Sequence, residues 1–263
     1  MKALLNRARD WLAARTVFAA RRLASDEGWG AITSDLGAPN MFHGLARLRA
    51  NGVKLASVVD GGACVGDWTR LLKRVYPHAR VLLIEPQERH RTALGALCAR
   101  IGPSVQVAPV LVGAVETASV AFHVLDDTSG GTGSSVLPEI STVPRHVVQV
   151  PMRTLDGLLA ASGWPAPDLI KLDVQGYELE VLKGASSALE SVGFVLLEVS
   201  VWQYNEGSPL IHDVLAWMDR AGFVVHDIFD VSRRRDGVLM QLDLLFVRRD
   251  SPLRVDAASA ARV

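Results

Sequence analysis

The stretch SVVDGGACVGDW, residues 57–68, decides the fold of this chain. A short apolar run ends at Asp60, and a glycine-rich loop separates it from an amphipathic helical pattern. Glycine permits positive φ and leaves room for the close approach of another group. We therefore predict a strand, a tight turn and a helix that bind a ligand, with Gly61, Gly62 and Gly66 providing its clearance.

The main domain continues as an alternation of short apolar runs and helical patterns. Runs such as VLLIE and FVLLEVS are typical of strands buried on both faces of a parallel sheet. Strands are predicted at 55–60, 80–85, 105–112, 168–173, 193–200, 223–229 and 239–248. Helices are predicted at 66–76, 88–101, 154–162, 177–190 and 208–222. This βα alternation predicts an α/β doubly wound sheet.

Several segments fall outside that alternation. The sequence pattern predicts two extra strands, at 119–125 and 146–152, on either side of a glycine-rich loop at 126–135. A chain of 263 residues suits one α/β domain with extensions. We divide it into an N-terminal helical extension at 1–52, a main domain at 53–250 and a flexible tail at 251–263.

Composition excludes several classes of protein. Lys plus Arg and Asp plus Glu number 28 each, so net charge gives no reason to expect nucleic acid as a partner. Cys64 and Cys98 lack the spacing of zinc ligands or of a disulfide framework, which favours a reducing compartment. No apolar stretch approaches the roughly 18 to 20 residues needed to span a bilayer, and no signal-peptide core is seen. We expect a soluble, cytoplasmic protein.

Residues 2–24 form an amphipathic helical pattern with six basic residues and one acid. One interpretation is a helix that packs on the core or on another subunit, which would make a homo-oligomer. The other is peripheral contact with an anionic membrane surface.

An acid at the end of the second strand indicates what the glycine loop binds. Glu85 follows Gly66 by 19 residues, and a carboxylate there can accept hydrogen bonds from both hydroxyls of a ribose. The loop lacks the G-x-G-x-x-G pattern of a pyrophosphate site, and the carboxylates of Asp60 and Asp67 flank it. Two carboxylates repel phosphate but suit a cationic ligand. The pattern favours S-adenosylmethionine over NAD.

A second group of acids is expected at the same edge of the sheet. Asp173 ends the strand in DLIKLDVQGYELEVLKGA, residues 168–185, and Glu198 ends the next strand. Carboxylates at the carboxyl ends of central parallel strands face the ligand crevice, so both are catalytic candidates. Glu178 is a weaker candidate, because acids in a first helical turn also stabilise the helix dipole, as Glu180 would.

The segments VVDGGACVGDWT, IEPQ, TLDGLL, LIKLDVQGYELEVLKGA and LLEVSVWQYNEGSPL occur in this order between about residues 55 and 230. Together they resemble the FkbM-type family of S-adenosylmethionine-dependent methyltransferases. The resemblance implies the class I methyltransferase fold, a Rossmann-like sheet of seven strands with the last antiparallel. It also implies O-methylation of a hydroxyl on a sugar, glycolipid or natural product.

By position, the resemblance implies a cofactor site at four places in the chain. These are the loop with Asp60, Gly62, Gly66 and Asp67, the pair Glu85 and Pro86, the pair Val112 and Gly113 beside adenine, and the serines Ser134 and Ser135. Two positions depart from the family pattern. Cys64 stands where asparagine is more frequent, and Gln175 stands where glutamate is common, so residue 175 is neither a base nor a strong metal ligand.

Methyl transfer is an in-line displacement that depends on positioning, and a sugar hydroxyl also needs a base. We predict that Asp173 or Glu198 holds the hydroxyl; a role of the family's glutamate is either missing here or taken by Glu178. His146, or alternatively His123, is the candidate base. A divalent metal that bridges Asp173 and Glu198 is another route to an acidified hydroxyl.

Two segments remain candidates for contact with a small-molecule or glycan acceptor. Trp202, Tyr204 and Asn205 suit the face and hydroxyls of a sugar ring, or belong to a loop that caps the sheet. The basic turn RRRD, residues 233–236, is either a solvated hairpin tip or a contact for an anionic acceptor. Two rival functions stay open: a nicotinamide-dependent oxidoreductase on a similar sheet, and a non-catalytic interaction module of the same fold.

Overall fold

A computed structural model describes residues 38–126, 133–234 and 236–254. The helix predicted at 2–24, most of the glycine-rich loop, Arg235 and the end of the tail lie outside the described residues. Within these described ranges, no helix combines the length and apolarity needed to cross a membrane.

Seven α-helices and ten strands make up the described part of the chain. The helices are α1 (Met41–Ala50), α2 (Asp67–Val75), α3 (Arg91–Ile101), α4 (Leu155–Ser162), α5 (Glu178–Lys183), α6 (Ser186–Ser191) and α7 (Ile211–Arg220). The strands are β1 (Ser57–Gly61), β2 (Arg80–Ile84), β3 (Val105–Ala108), β4 (Leu111–Val112), β5 (Thr117–Leu125), β6 (Arg145–Arg153), β7 (Leu169–Leu172), β8 (Phe194–Ser200), β9 (Phe223–Arg233) and β10 (Leu239–Arg248).

The central sheet has seven strands in the order β3-β2-β1-β7-β8-β10-β9. Strands β1, β2, β3, β7 and β8 pair in parallel, whereas β10 is antiparallel to both of its neighbours. The strand order reverses between β1 and β7, and this switch point puts the ends of the two strands on either side of a crevice. The predicted doubly wound sheet with an antiparallel last strand is confirmed.

Both faces of the sheet are buried, as the continuous apolar runs predict. Val59, Ile170 and Leu197 face a core that includes residues of α4 to α7. Val58, Leu169 and Leu196 face the opposite core, which contains residues of α1, α2 and α3. Because side chains alternate along a strand, each central strand contributes to both cores.

Two predicted elements are interrupted in the structure. The strand predicted at 105–112 divides at Pro109, which has no N–H to donate, and β4 joins a different sheet from β3. The helix predicted at 177–190 breaks around Gly184, where a Cβ would lie 2.1 Å from the carbonyl oxygen of Gly113. The close approach of these two backbones excludes a continuous helix with side chains at this point.

The extra strands predicted at 119–125 and 146–152 form a second sheet, with the order β4-β6-β5. Its buried side includes Phe122, Val124 and Met152, which cluster with Leu111. This small sheet stands beside the carboxyl edge of the central sheet through β4, and it provides one wall of the site described next.

Candidate active site

The glycine loop after β1 packs closely against the protein itself. A Cβ at Gly62, whose φ is +73°, would lie 1.9 Å from the carbonyl oxygen of Asp173. At Gly66, whose φ is +84°, it would lie 2.4 Å from a methyl group of Leu97. The glycines are therefore required by neighbouring protein atoms, in addition to any clearance for a ligand.

A buried ion pair supports the loop from below. Asp60 is fully buried, accepts a hydrogen bond from the Thr69 hydroxyl at 2.7 Å and lies 3.1 Å from the Lys171 ammonium. Lys171 also donates to the carbonyl oxygens of Gly61 and Gly62 at 3.3 and 3.4 Å. Burial alone would lower the pKa of Lys171, but Asp60 and Asp173 raise it above its ordinary value, so the ammonium stays charged.

Glu85 ties the glycine loop to the end of β2. Its carboxylate is 4% exposed and accepts hydrogen bonds from the backbone N–H groups of Cys64 and Gln87, both at 2.8 Å. His90 lies 3.4 Å from the same carboxylate. A carboxylate has about four acceptor positions, so two backbone donors leave capacity for two more hydrogen bonds.

An inner pocket opens between the glycine loop, the end of β2 and the small sheet. Its walls are formed by Gly62, Cys64, Ile84, Glu85, Pro86, Gln87, Val110, Leu111, Val112, Phe122, Gly133, Ser134, Val136, Asp173, Val174, Gln175 and Tyr177. Among these described residues, the charged side chains are two carboxylates, and neither lysine nor arginine contributes. The rest of the wall is largely apolar, which suits a planar base.

Other residues predicted for the cofactor lie around this pocket without lining it. Asp60 is buried, Gly61 packs against Leu172 and Gly66 against Leu97, and Asp67 projects into solvent, where it pairs with Arg70. Gly113 packs against Met152 and Tyr177. The Ser135 hydroxyl donates to the carbonyl oxygen of Gln175 at 2.9 Å and so fixes the adjacent turn.

Gln175 joins the two acids predicted to be catalytic. Its amide nitrogen donates to Asp173 at 2.9 Å and to Glu198 at 2.8 Å. Its backbone is left-handed, with φ of 55°, and its carbonyl oxygen accepts from Asn205 as well as from Ser135. The side chain and backbone of Gln175 are thus both held in place, and they hold Asp173 and Glu198 together.

The arrangement does not fit a metal that bridges Asp173 and Glu198. The Gln175 amide group, a hydrogen-bond donor, occupies the position between the two carboxylates. Among the described residues, no group of three or more histidine, cysteine, aspartate or glutamate side chains could hold a metal ion. The position between these two carboxylates is thus suited to a hydrogen-bond donor and not to a metal ion.

Glu178 serves the turn that carries Gln175. Its buried carboxylate accepts hydrogen bonds from the backbone N–H groups of Val174 at 2.9 Å and Gly176 at 3.1 Å. Burial raises the pKa of Glu178 to about 7. Its contacts are those of a residue that positions the turn.

The two candidate histidines both lie on the small sheet. His146 is more than half exposed and contacts Asp126, and His123 lies on β5 opposite Ser135. Neither belongs to the walls of the inner pocket. Asp173 does line that pocket, and Glu198 is connected to Asp173 through the Gln175 amide.

Asp243 joins the acid cluster from β10, where it lies opposite Glu198 in the strand register. Burial, followed by the charge of Asp173, raises the pKa of Asp243 to about 7. The same two causes raise the pKa of Glu198 well above its ordinary value. The pKa of Asp243 thus lies close to neutral pH, and the pKa of Glu198 is shifted in the same direction, towards the range where a general base is most effective.

We expect the Asp243→Asn variant to be more stable than the native protein at pH 8.5 and about equally stable at pH 4. The pKa of Asp243 is higher in the folded state than in the unfolded state. This difference contributes stability that is fully present when the pH is below the unfolded pKa, near 4, and that is lost as the pH rises to about 7. Asparagine cannot ionise, so the variant does not lose this stability as the pH rises. Thermal unfolding should show a gain of a few degrees at the higher pH, about 2 to 4 °C for each kcal/mol. The exposed Asp250→Asn is the control; equal gains in both variants would contradict the assignment.

An outer cleft adjoins the inner pocket, and Gln175 and Gly133 line both. The outer cleft is bounded by the turn between β9 and β10, by the loop after β8 and by the segment around Glu139. Its polar walls include Glu139, Arg145, Tyr204, Asn205, Arg233, Arg234 and Gln241. Trp202 instead lies exposed, with its indole N–H donated to the Leu239 carbonyl oxygen.

Sequence reasoning missed two charged residues of this site, Lys171 and Asp243. Each is a single charged residue within an apolar strand pattern, LIKL or LDLLFV. Charged side chains are rarely buried without a partner, so a single charge inside an apolar strand pattern is the signal that could have identified them.

The strand order, the pocket at the switch point and the acid at the end of β2 define a class I methyltransferase-like protein. A solved methyltransferase FkbM from Methylobacillus flagellatus KT has a similar fold, with a TM-score of 0.52 and 17% identity over 88% of this chain. The chain spans 52% of the length of that structure.

The family follows from the sequence match. The family model described as "Methyltransferase FkbM domain" matches residues 60–225, so the chain belongs to the FkbM methyltransferase family. A protein of Haloferax volcanii named hexuronic acid methyltransferase AglP is 50% identical over 44 residues, which cover 17% of this chain and 18% of that protein. The resemblance predicted from the ordered motifs is confirmed.

Proposed function

We propose that this protein is an S-adenosylmethionine-dependent O-methyltransferase that modifies a hydroxyl group of a sugar or of a sugar-containing acceptor. The observation that carries the proposal is the charge of the inner pocket. Among its described walls, Glu85 and Asp173 are charged and no lysine or arginine is present. Such a pocket suits a cationic nucleoside and opposes the pyrophosphate of NAD.

The residues present fit S-adenosylmethionine. The free acceptor positions of Glu85 would take the two ribose hydroxyls, and Pro86, Val112 and Phe122 offer apolar surface for adenine. Asp173, at the other end of the pocket, would face the positively charged sulfur, a charge that S-adenosylhomocysteine lacks. When bound, the cofactor supplies a methyl group on a positively charged sulfur.

The acid cluster favours a neutral acceptor oxygen at the point of reaction. A hydroxyl that enters from the outer cleft would donate its hydrogen bond to Asp173 or Glu198, and that carboxylate would take the proton as the oxygen–methyl bond forms and the sulfur–methyl bond breaks. A carboxylate acceptor would instead be repelled by these acids. The name of the Haloferax volcanii relative supports a carbohydrate as the acceptor.

Calorimetry with S-adenosylhomocysteine, S-adenosylmethionine and NAD tests the cofactor assignment. We expect micromolar binding of the first two and none of NAD. The second step is the release of S-adenosylhomocysteine with a panel of mono- and oligosaccharides. Binding of NAD alone, or no nucleoside binding by folded protein, would contradict the proposal; cofactor binding without turnover on any carbohydrate would contradict the acceptor class.

A further inference from the structure

The outer cleft is divided by charge. Its inner end is formed by Gln175, whose amide nitrogen donates to the carboxylates of Asp173 and Glu198 behind it. Its outer walls carry three arginines, Arg145, Arg233 and Arg234, and Glu139 is the one acid among the described residues of these walls. A molecule that fills the cleft therefore meets, at one end, the Gln175 amide that is bound to two acids and, at the other end, guanidinium groups.

Arg145 already has structural partners. It forms an ion pair with Glu139, and the two side chains are 10% and 18% exposed. It also donates to the carbonyl oxygen of Gly133 at 2.8 Å. This pair anchors the segment that forms one wall of the cleft and adds no net charge to it.

The turn between β9 and β10 carries the remaining charge. Arg234 pairs with Asp236, whereas Arg233 donates to the carbonyl oxygen of Gly237 at 3.0 Å. Among the described residues, no carboxylate lies within ion-pair distance of Arg233. A guanidinium has five donors, and the hydrogen bond to Gly237 uses one of them. The positive charge of Arg233, next to the paired Arg234, is thus available to a bound anion.

We infer that the outer cleft selects acidic sugars: Arg233, beside the paired Arg234, binds a carboxylate or phosphate of the acceptor while a hydroxyl of the same molecule reaches past Gln175 to Asp173 and Glu198. This inference rests on the proposed function and narrows its substrate class. Guanidinium groups form paired hydrogen bonds with the oxygens of both anions. Tyr204, which also lines the cleft, offers a ring face to the neutral part of the sugar.

The test is a comparison of three ligands that differ at one carbon: glucuronate, glucose 6-phosphate and glucose. Their dissociation constants are measured by ligand-observed NMR titration on the full chain, with and without S-adenosylhomocysteine. We expect at least one acidic sugar to bind about tenfold more tightly than glucose. The Arg233→Gln/Arg234→Gln variant should lose this preference, whereas Arg220→Gln, on an exposed helix end, should keep it.

The two acidic ligands show which anion the cleft binds. Tighter binding of glucuronate identifies a carboxylate, and tighter binding of glucose 6-phosphate identifies a phosphate. Equal binding of all three sugars, no binding of either acidic sugar, or a preference that survives in the double variant would overturn the inference. The nucleoside titration is independent of these results. If S-adenosylhomocysteine binds while acidic sugars show no preference, only the substrate class is wrong. If the nucleoside does not bind, the proposed function fails.

Discussion

The Glu85→Gln variant is expected to bind S-adenosylhomocysteine at least about 100-fold more weakly than the native protein. In the proposed complex, the carboxylate accepts two ribose hydroxyls, and hydrogen bonds to a charged group each contribute about 1.5–3 kcal/mol. Glutamine has the same shape but one acceptor oxygen in place of two. It also cannot accept from both Cys64 and Gln87, so the glycine loop loses part of its attachment to β2.

A matched control lies three residues further along the chain. Glu88 is exposed and pairs with Arg91 at the surface, so Glu88→Gln changes the same charge without reaching the inner pocket. Calorimetric titration of both variants, with thermal unfolding to confirm that they fold, measures the combined contribution of the ribose contact and of the loop attachment. If Glu85→Gln binds the nucleoside as tightly as Glu88→Gln does, the ribose assignment is wrong.

The sheet could be predicted from sequence because its signals are local and redundant. Continuous apolar runs such as those around Val59 and Ile170 report burial on both faces, and they place the strands within a few residues. The positions of the acids at strand ends, Glu85, Asp173 and Glu198, follow from the same pattern. Parallel strands bring their carboxyl ends to one edge, so these residues converge without any knowledge of the loops.

The rest of the site depends on contacts between segments that are far apart in sequence. The 1.9 Å approach of a Cβ at Gly62 to Asp173, and the break of the helix at Gly184, arise from packing of one backbone against another. The amide of Gln175 between two carboxylates depends on a left-handed residue held by Ser135 and Asn205. The periodicity of apolar residues carries no information on such contacts. For that reason the sequence did not indicate the Gln175 amide between the two carboxylates, and a metal or a histidine was predicted there instead.

Replacing Asp173 with asparagine is expected to lower kcat by at least about 100-fold while leaving the affinity for S-adenosylhomocysteine within about threefold, since a general base contributes roughly 10²–10⁴-fold. The change is nearly isosteric: the asparagine side-chain oxygen still accepts from Gln175, and Lys171 keeps its partner Asp60. What disappears is the charge that would orient the acceptor hydroxyl and take its proton. Turnover is measured as release of S-adenosylhomocysteine with the most active carbohydrate of the panel.

The control for this variant is Glu180→Gln, in the helix that follows. Glu180 pairs with Lys183 on the surface, so its loss removes a nearby negative charge without touching the pocket. A pH series separates a chemical role of Asp173 from a structural one. The native rate should rise with pH as the carboxyl cluster ionises, and Asp173→Asn should change the shape of that profile as well as its height. An unchanged rate, or an equal loss in Glu180→Gln, would remove Asp173 from the reaction and leave Glu198, with Asp243 beside it, as the base.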